Sequence, residues 1–555
     1  MKEILNKISG ARVLVECLKS EGVEYVFGIA GASLIPILEV LAETPEIRYL
    51  SVRHEQVATH MADGYARHTG KPGVVLATRA SGASNTVLGV VTAYSSDSPV
   101  VVIAGLPPVQ SIGRGEYQDF DLVSLFKPIT KFSYQVECVS KIPYILHRAF
   151  TIALHGRPGP VFIGIPSNFL LEETEQSIPL RKRSSIWKGS CPSHEVIEEI
   201  ADMLLESENP VILAGNGVNI SEANEELRML AETLAAPVIP EYCQLDLLPT
   251  YHPLFIQDRK ILNDADLLLT VGTNLPDFYM WSEVPEDAKI IQVELDETQI
   301  CKVRPTDLGV IADPKTTLNA IRDNLTGKID EETENRLKKR YERIKDLKER
   351  FLSERWPEGE WEATPIRPWR LLKDLREALS PDAILTHDSG SLSTHWLSRC
   401  FDFYTPKTCY CCLGGVMGFA LPGALGIKLA EPDRDVVALV GDGSFMMVNS
   451  ALTTSVQYDI PVLIIVNDNS SYMQIKWRQK PPYLGSNLLN PDLVKLAESF
   501  GVYAERVESP SDLKPAIKRG LNETRNGRTA LLDVVTVSDP KYATPETYFK
   551  TCSSS

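Results

Sequence analysis

The chain alternates short apolar, β-branched runs with stretches of helical periodicity in three successive blocks. The first block contains VEYVFG, KPGVVLAT, SPVVVIAG and GPVFIGIP, with a helical pattern over residues 55–67. The second contains NPVILAGNG, APVIPEY, ADLLLTVG, AKIIQVELD and LGVIADP, and the third contains DAILTHDSG, DVVALVGDGSF, IPVLIIVNDN and TALLDVVTV. Such alternation is typical of parallel sheets covered by helices. It predicts an α/β protein with three open, mostly parallel-sheet domains.

Breaks in this pattern predict the domain boundaries. The first domain spans residues 1–180, and the polar stretch EETEQSIPLRKRSSIWKGSCPS leads to a second domain at 190–325. Residues 326–363 are dense in Lys and Glu at helical spacing, which predicts a solvated helical linker. The third domain spans 364–555.

Composition narrows the possible partners and the compartment. The 57 basic and 73 acidic residues give a net charge of -16, which argues against a nucleic-acid ligand held by bulk electrostatics. The chain has no run of about 18 apolar residues, and charges interrupt the N-terminal segment where a signal peptide would be apolar. Ten Cys without paired CxxC spacing favour free thiols. We therefore expect a cytoplasmic protein with no membrane span and no nucleic-acid partner.

The most informative chemistry follows two apolar runs of the third block. One run ends in Gly441-Asp442-Gly443-Ser444, and the next ends in Asn467-Asp468-Asn469. Glycines let the backbone approach a ligand, and amides at a helix start suit a phosphate, but the carboxylate of Asp442 would repel one. A divalent cation removes this conflict, because Mg²⁺ takes carboxylate, carbonyl and phosphate oxygens. Parallel strands end at one sheet edge, so we predict that Asp442 and Asn469 face one ion.

The pairing of GDG with an asparagine after an intervening apolar strand resembles the signature of thiamine-diphosphate enzymes. The resemblance implies that Asp442, Asn469 and the backbone carbonyl of Ser471 bind Mg²⁺, which in turn holds the diphosphate of the cofactor. It also places Gly443 and Ser444 in the cofactor-binding set.

The segment SVRHEQVATHMADGYAR is similar to a segment of the same family and implies that Glu55 is its catalytic glutamate. In that family the glutamate hydrogen-bonds the aminopyrimidine of the cofactor, which then removes the proton from thiazolium C2. Glu55 is therefore expected to bind the cofactor as well as to act in catalysis.

Two further segments resemble cofactor-binding loops of the family. CCLGGVMGFALPGALG is similar to the GTMGFGLP pattern of acetolactate synthases, which implies that Met417, two residues after Gly415, supports a bent cofactor. HDSGSLSTHW resembles the loop that wraps the diphosphate, so Ser389, Gly390 and Ser391 are candidate donors.

The family resemblance also predicts a subunit interface. It implies that domain 1–180 binds the pyrimidine ring while domain 364–555 of a neighbouring subunit binds the diphosphate. Glu55 and Asp442 would then serve one cofactor from two chains. We expect a homodimer or homotetramer with active sites at the subunit interface.

The segments divide between two branches of the family. EYQD followed by KPITKFS looks like a segment of acetolactate synthases and implies that Gln118 approaches the cofactor or substrate. LLPTYHPLF, NDNSSYMQIKW and GIKLAEPDRDVVALVGDGS resemble benzoylformate decarboxylases more closely. Where those enzymes carry catalytic histidines, this chain has Thr78 and Tyr279, which disfavours a step that needs imidazole.

The central domain departs from the flavin-binding members of the family. Pyruvate oxidases and acetolactate synthases hold FAD there. In this chain the stretch between Leu248 and Asp264 is short for a flavin-cradling insertion, and GTNLPDF replaces the usual flavin-contacting segment. We therefore expect no FAD.

The leading hypothesis is thiamine-diphosphate- and Mg²⁺-dependent decarboxylation of a 2-oxo acid, with carboligation of the acyl carbanion to an acceptor, as in acetolactate synthases. Thr78, Gln118, Tyr472 and Trp477 are candidate substrate residues. Arg79 pairs either with an anionic substrate or with a surface acid, and the second is favoured. The alternatives are a benzoylformate-decarboxylase-like decarboxylase, a 2-hydroxyacyl-CoA lyase, a flavin-dependent oxidase or a silent paralogue.

Overall fold

Three parallel sheets, one in each third of the chain, organise the fold. The computed structural model describes residues 7–174, 189–241, 244–273 and 283–546. The predicted α/β class with three mostly parallel sheets is confirmed.

The N-terminal sheet has the spatial order β3-β2-β4-β5-β7-β6. Its strands are β2 (Tyr25–Gly28), β3 (Arg48–Ser51), β4 (Gly73–Thr78), β5 (Val100–Leu106), β6 (Phe132–Gln135) and β7 (Val161–Pro166), and β1 (Ile8–Ser9) pairs antiparallel with β8 (Glu173–Thr174). The helices of this region are α1 (Gly10–Ser20), α2 (Ile35–Ala42), α3 (Glu55–Thr69), α4 (Arg79–Asn85), α5 (Val87–Ser95), α6 (Leu122–Phe126), α7 (Ile142–Leu154) and α8 (Ser167–Leu171).

The central sheet has the order β10-β9-β11-β12-β13. Its strands are β9 (Pro210–Ala214), β10 (Val238–Pro240), β11 (Leu267–Val271), β12 (Lys289–Glu294) and β13 (Leu308–Ile311). The accompanying helices are α9 (His194–Glu206), α10 (Asn216–Ile220), α11 (Asn224–Leu234), α12 (Pro314–Thr326) and α13 (Glu331–Glu354).

The C-terminal sheet has the order β15-β14-β16-β17-β19-β18. Its strands are β14 (Ile384–His387), β15 (Cys409–Cys411), β16 (Val436–Gly441), β17 (Leu463–Asp468), β18 (Tyr503–Val507) and β19 (Ala530–Val535). The helices are α14 (Pro368–Ala378), α15 (Ser398–Cys400), α16 (Ala420–Ala430), α17 (Asp442–Val448), α18 (Ala451–Gln457), α19 (Met473–Lys476), α20 (Leu493–Ser499) and α21 (Pro510–Arg525).

The N-terminal and C-terminal six-stranded sheets share one topology. Counted along the chain within each sheet, both run second, first, third, fourth, sixth and fifth strand. The loop after β4 in the first sheet therefore corresponds to the loop after β16 in the other, and the loop after β5 corresponds to the loop after β17. Ligands of open parallel sheets bind at the carboxyl ends of such central strands.

Helices α3 and α16 pack against each other and join these two sheets. Both helices carry a glycine at the crossing. A Cβ atom on Gly64 would collide with the carbonyl of Gly423, and one on Gly426 would collide with the carbonyl of Met61. The missing side chains let the two backbones touch. The N-terminal and C-terminal sheets consequently share one buried apolar cluster.

The charged segment after the central sheet forms the helix α13, and this helix is not solvated on all sides. Leu337, Ile344 and Phe351 are buried, and so are two of its cations. Arg340 donates to the carbonyls of Ser207 and Leu234. One face of the linker helix is therefore part of the protein interior.

The remaining sequence expectations concern cysteines and membrane spans. Seven of the described cysteines are free thiols, as predicted, but Cys411 is disulfide-bonded, so the expectation was wrong there. None of the helices in the described ranges combines the length and the apolar composition that a membrane span needs.

Candidate active site

The carboxyl edge of the C-terminal sheet brings the GDG and NDN motifs together. β16 and β17 are parallel neighbours, with Gly441 in register with Asn467. Asp442 is therefore the first residue after one strand, and Asn469 follows the end of the next. This register places the two motifs side by side at the edge of the sheet.

Buried oxygen atoms at this edge lack partners of their own. Asn469 Oδ1 and Ser471 Oγ are buried without a hydrogen-bond partner. Asp442 accepts hydrogen bonds from its neighbour's amide, Gly443 N, at 2.9 Å and from Asn490 Nδ2 at 2.8 Å. A buried polar atom without a partner is costly, so this set of carboxylate and amide oxygens fits a hard cation.

Asn490 is a member of this site that the sequence analysis missed. Its Nδ2 donates to Asp442 Oδ2 at 2.8 Å and to Asp468 Oδ1 at 2.9 Å, so one amide holds both carboxylates. Burial, followed by the nearby charge of Asp468, raises the pKa of Asp442 to about 6. Asn490 lies in a loop far along the chain from both motifs, and no spacing rule links it to them.

The loops after β14 and β15 lie at the same edge. Asp388 Oδ1 accepts from the amides of Phe419 and Ala420, each at 2.8 Å, which fixes the start of α16 beside the Ser389-Gly390-Ser391 loop. Ser444 also hydrogen-bonds Asp388. Burial is the main cause that raises the pKa of Asp388 to about 6.

Met417 sits in a turn between two glycines with left-handed backbone, Gly415 at φ 70° and Gly418 at φ 93°. Side chains are strained at these angles, so glycine sets the shape of the turn. His60 on α3 hydrogen-bonds the carbonyl of Gly418 at 2.8 Å. Burial lowers the pKa of His60 to about 4, so the ring is neutral. Helix α3 of the N-terminal region thus anchors the turn that carries Met417.

Glu55 is the first residue of α3 and is only 5% exposed. Its Oε2 accepts a hydrogen bond from Asn85 Nδ2 at 2.9 Å. A Cβ atom on Gly82 would lie 3.0 Å from Glu55 Oε1, so helix α4 closely confines the carboxylate. Asn85 was not among the residues predicted from the sequence.

Thr78 and Gln118 lie on the same side as Glu55. Thr78 ends β4, and its hydroxyl lies 3.0 Å from Ser33 Oγ. Gln118 Oε1 accepts from Ser81 Oγ at 3.1 Å, and its backbone has φ 58°. Arg79 directly follows Thr78, and its Nη1 lies 3.7 Å from Glu116 Oε1. Glu116 is a partly exposed acid, the type of partner that the sequence analysis favoured for Arg79.

Tyr472 and Trp477 lie with the C-terminal group instead. The ring of Tyr472 packs over Gly443, where a Cβ atom would collide with it. Trp477 meets the ring of His395 edge to face, with 5.6 Å between centroids. His395 also lines a cavity of about 790 Å³ between β10, α13 and α15. Trp477 therefore contacts a residue that lines this cavity.

The predicted site residues thus form two groups at two sheet edges. Within the described part of the chain, the hydrogen bonds of Glu55, Thr78 and Gln118 do not reach the C-terminal group. Tyr279, the other predicted replacement for a histidine, lies outside the described residues.

Comparison with known families identifies the class of protein. Models of the thiamine pyrophosphate enzymes match three parts of the chain: the N-terminal TPP binding domain over residues 8–125, the central domain over 197–321 and the C-terminal TPP binding domain over 388–534. The chain belongs to the family of thiamine pyrophosphate enzymes.

Its relatives place it in the acetolactate synthase branch. It is 35% identical to a probable acetolactate synthase large subunit of Methanocaldococcus jannaschii, over 97% of this chain and 93% of the relative. A probable acetolactate synthase large subunit of Methanococcus aeolicus is 33% identical, over 93% and 90%. Acetolactate synthase isozyme 3 large subunit of Escherichia coli is 29% identical, over 98% and 97%.

Proposed function

We propose that the protein is an acetolactate-synthase-like enzyme, which uses thiamine diphosphate and Mg²⁺ to decarboxylate a 2-oxo acid and to join its acyl group to an acceptor. Similarity to acetolactate synthases over nearly the whole chain supports this activity. In the structure, the main support for the proposed activity is that Asp442 and Asn469, whose Oδ1 is buried without a hydrogen-bond partner, lie at the same edge of one sheet.

Three groups at this edge are suited to hold the metal. Asp442 supplies a carboxylate, Asn469 an amide oxygen and Ser471 a backbone carbonyl, which is a typical oxygen set for Mg²⁺. The cation would neutralise Asp442 and attract a diphosphate. Gly443, Ser444 and the loop Ser389-Gly390-Ser391 would line the same cofactor, with Gly415 and Met417 beside its bend.

Thiamine diphosphate, when bound, supplies the nucleophilic carbon and the electron sink for decarboxylation. The chain supplies the acid-base group. Glu55 would hold a proton against the pyrimidine ring through Oε1, because Asn85 already occupies Oε2. Gln118 would act beside it, and Thr78, Tyr472 and Trp477 would contact the substrate.

Exposed apolar side chains support an oligomer. Tyr117 and Phe120, in the loop that carries Gln118, are each 72% exposed. Leu484 and Leu489, in the loop that leads to Asn490, are 86% and 99% exposed. Apolar side chains with so much exposed surface are candidates for burial in a subunit interface. We propose that they meet in a homodimer or homotetramer, where Glu55 of one chain faces Asp442 of another.

The central sheet gives a reason to propose that FAD is absent. A nucleotide would bind between the carboxyl ends of β9 and β11, where the strand order reverses. There Gly217 N donates to Gly272 O at 2.8 Å, and a Cβ atom on Gly217 would lie 2.6 Å from Gly272 Cα. The two loops are thus in contact at this end of the crevice. Most of GTNLPDF lies outside the described residues.

The domain boundaries and the cellular location stay proposals as well. We propose a pyrimidine-binding domain at 1–180, a central domain at 190–325, a helical linker at 326–363 and a diphosphate-binding domain at 364–555. We also propose that the enzyme works in the cytoplasm.

The product formed from pyruvate tests the proposed activity. The purified chain, with thiamine diphosphate and Mg²⁺, should convert pyruvate to acetolactate. Acetaldehyde as the main product would instead indicate a simple decarboxylase, and cleavage of a 2-hydroxyacyl-CoA would indicate a lyase. Absence of proton exchange at thiamine C2 would indicate a silent paralogue, and a visible absorbance near about 450 nm would indicate bound flavin.

A further inference from the structure

Arg79 occupies a special place in the N-terminal sheet. It is the first residue after β4, and β4 corresponds in topology to β16, which Asp442 follows. Its φ of 25° lies in the left-handed region, which favours glycine. Strained backbone at a residue other than glycine is concentrated at active sites and ligand-binding sites.

The guanidinium of Arg79 uses only part of its hydrogen-bonding capacity in the described structure. Nη1 donates to the carbonyl of Tyr117 at 2.8 Å and lies 3.7 Å from Glu116 Oε1. Nε is buried without a hydrogen-bond partner, although the side chain is 18% exposed. Nε–H and one N–H of Nη2 form the edge that binds a carboxylate through two parallel hydrogen bonds.

The neighbours of Arg79 connect it to the candidate site. Asn85, six residues further along α4, donates to Glu55 Oε2 at 2.9 Å, and a Cβ atom added to Gly82 would lie 3.0 Å from Glu55 Oε1. Ser81 holds Gln118. The guanidinium of Arg79 therefore belongs to the cluster of polar residues at the carboxyl edge of β4, which also contains Glu55, the proposed acid-base residue.

We propose that Arg79 binds an anionic group of the substrate that is retained in the product. The group is either the carboxylate of a 2-oxo acid acceptor or a second acid group on the donor. This inference rests on the proposed function, because it assigns the substrate side of the same site.

The chemistry of decarboxylation decides which carboxylate Arg79 binds. A cation beside the carboxylate that leaves as CO₂ stabilises the starting state more than the transition state, because the charge moves out of that group as the bond breaks. Such an arginine would slow the reaction. A carboxylate that keeps its charge throughout can be bound without this loss, so the retained group is the one that Arg79 serves.

A competing explanation is that Arg79 only fastens the loop that carries Gln118. Its contacts with Tyr117 and Glu116 fit that role, but Glu116 is 37% exposed, and ion pairs of exposed groups contribute little. The two explanations differ in outcome. Loss of a residue that only holds the loop should slow the reaction of all substrates alike, whereas loss of an anion-binding residue should slow only the reaction of substrates that carry the retained anionic group.

Product partition separates these explanations. The full-length enzyme, with thiamine diphosphate and Mg²⁺, is given pyruvate together with acetaldehyde, so that acetolactate reports the anionic acceptor and acetoin the neutral one. Where the acceptor supplies the retained carboxylate, Arg79→Gln should lower the acetolactate-to-acetoin ratio at least tenfold, because a bidentate charged hydrogen bond is lost. Arg79→Lys keeps the positive charge but lacks the paired N–H donors of the guanidinium. Its acetolactate-to-acetoin ratio should therefore lie between those of the wild type and Arg79→Gln.

The second part of the experiment measures which donor the enzyme selects. With acetaldehyde as acceptor, 2-oxoglutarate and 2-oxopentanoate differ in the second acid group. A selective loss for 2-oxoglutarate in Arg79→Gln assigns the retained anion to the donor, and a changed product ratio assigns it to the acceptor. If neither selectivity changes, the proposal is overturned. Arg114→Gln removes an exposed cation of the loop that carries Gln118 and serves as the matched control.

A binding measurement keeps the test independent of turnover. Calorimetric titration with 2-hydroxy-2-methylbutanoate, a stable acetolactate analogue, should show at least tenfold weaker binding in Arg79→Gln than in the wild type. Equal binding would overturn the acceptor assignment. A loss of binding in a protein that turns over no donor would count against the proposed activity and not against Arg79. Arg79→Gly, which suits the left-handed backbone, replaces the glutamine variant if that variant does not fold.

Discussion

Removal of the Asn85 amide should slow the reaction through its effect on Glu55. Asn85 Nδ2 lies 2.9 Å from Glu55 Oε2, and Glu55 is 5% exposed. Asn85→Ala therefore leaves a buried carboxylate with one donor fewer. It also frees an oxygen, so that the carboxylate can rotate away from the pyrimidine ring.

The size of the effect follows from the kind of bond. Hydrogen bonds to charged groups contribute about 1.5–3 kcal/mol. If that bond serves mainly to orient Glu55 in the transition state, Asn85→Ala should lower kcat by about tenfold to a hundredfold. The Kd for thiamine diphosphate should change much less, because the diphosphate is held at the other sheet edge.

Two measurements test this together. Proton exchange at thiamine C2, followed by NMR after acid quench, reports the activation step alone, and thermal unfolding reports stability. Asn224→Ala is the matched control, because Asn224 Nδ2 donates to Leu247 O at 2.9 Å in the central domain. If Asn85→Ala loses as much stability as the control but exchanges at the wild-type rate, the orienting role is refuted.

The remaining predictions concern the two proposed site groups and one buried histidine. Glu55→Gln should leave thiamine diphosphate bound but slow turnover at least about a hundredfold, and unchanged turnover would remove Glu55 from the mechanism. Asp442→Ala should abolish Mg²⁺-dependent cofactor binding, and calorimetric affinities that are equal with and without Mg²⁺ would contradict this role. Burial lowers the pKa of His60 from 6.5 to about 4, so unfolded chains take up a proton that the folded chain excludes. The free energy of unfolding should therefore fall as the pH drops below 6.5, by about 2 kcal/mol at pH 5, and urea titrations of His60→Gln should lack that contribution.

Much of the fold is readable from the sequence because its central strands are buried on both faces. The apolar runs VVALVG and PVLIIV contain no polar residue that would obscure their assignment, and they correspond to β16 and β17. The strands β3, β6 and β18 escaped notice because their residues are largely part-exposed and mixed in character. The cations of α13 similarly suggested solvent on all sides, whereas backbone carbonyls bind two of them inside.

The site was only partly readable for a different reason. Asp442, Asn469 and Glu55 stand in segments with a recognisable order of residues. Asn490 donates a hydrogen bond to Asp442 from a loop that is distant in sequence, and no local sequence pattern marks Asn490 as a site residue. The left-handed backbone of Arg79 is likewise a property of the folded turn, because arginine carries no signal for it in sequence.

The central claim is that one cofactor is served by Asp442 of one chain and Glu55 of another. Mixed oligomers of Glu55→Gln and Asp442→Ala chains, each with its own affinity tag, test it most directly. Purified through both tags, a mixed dimer holds one site with both residues intact and one with neither. We predict about half the activity of the wild-type dimer, while each variant alone is inactive. A mixed dimer as inactive as its parents would show that the two residues act within one chain and would contradict the account.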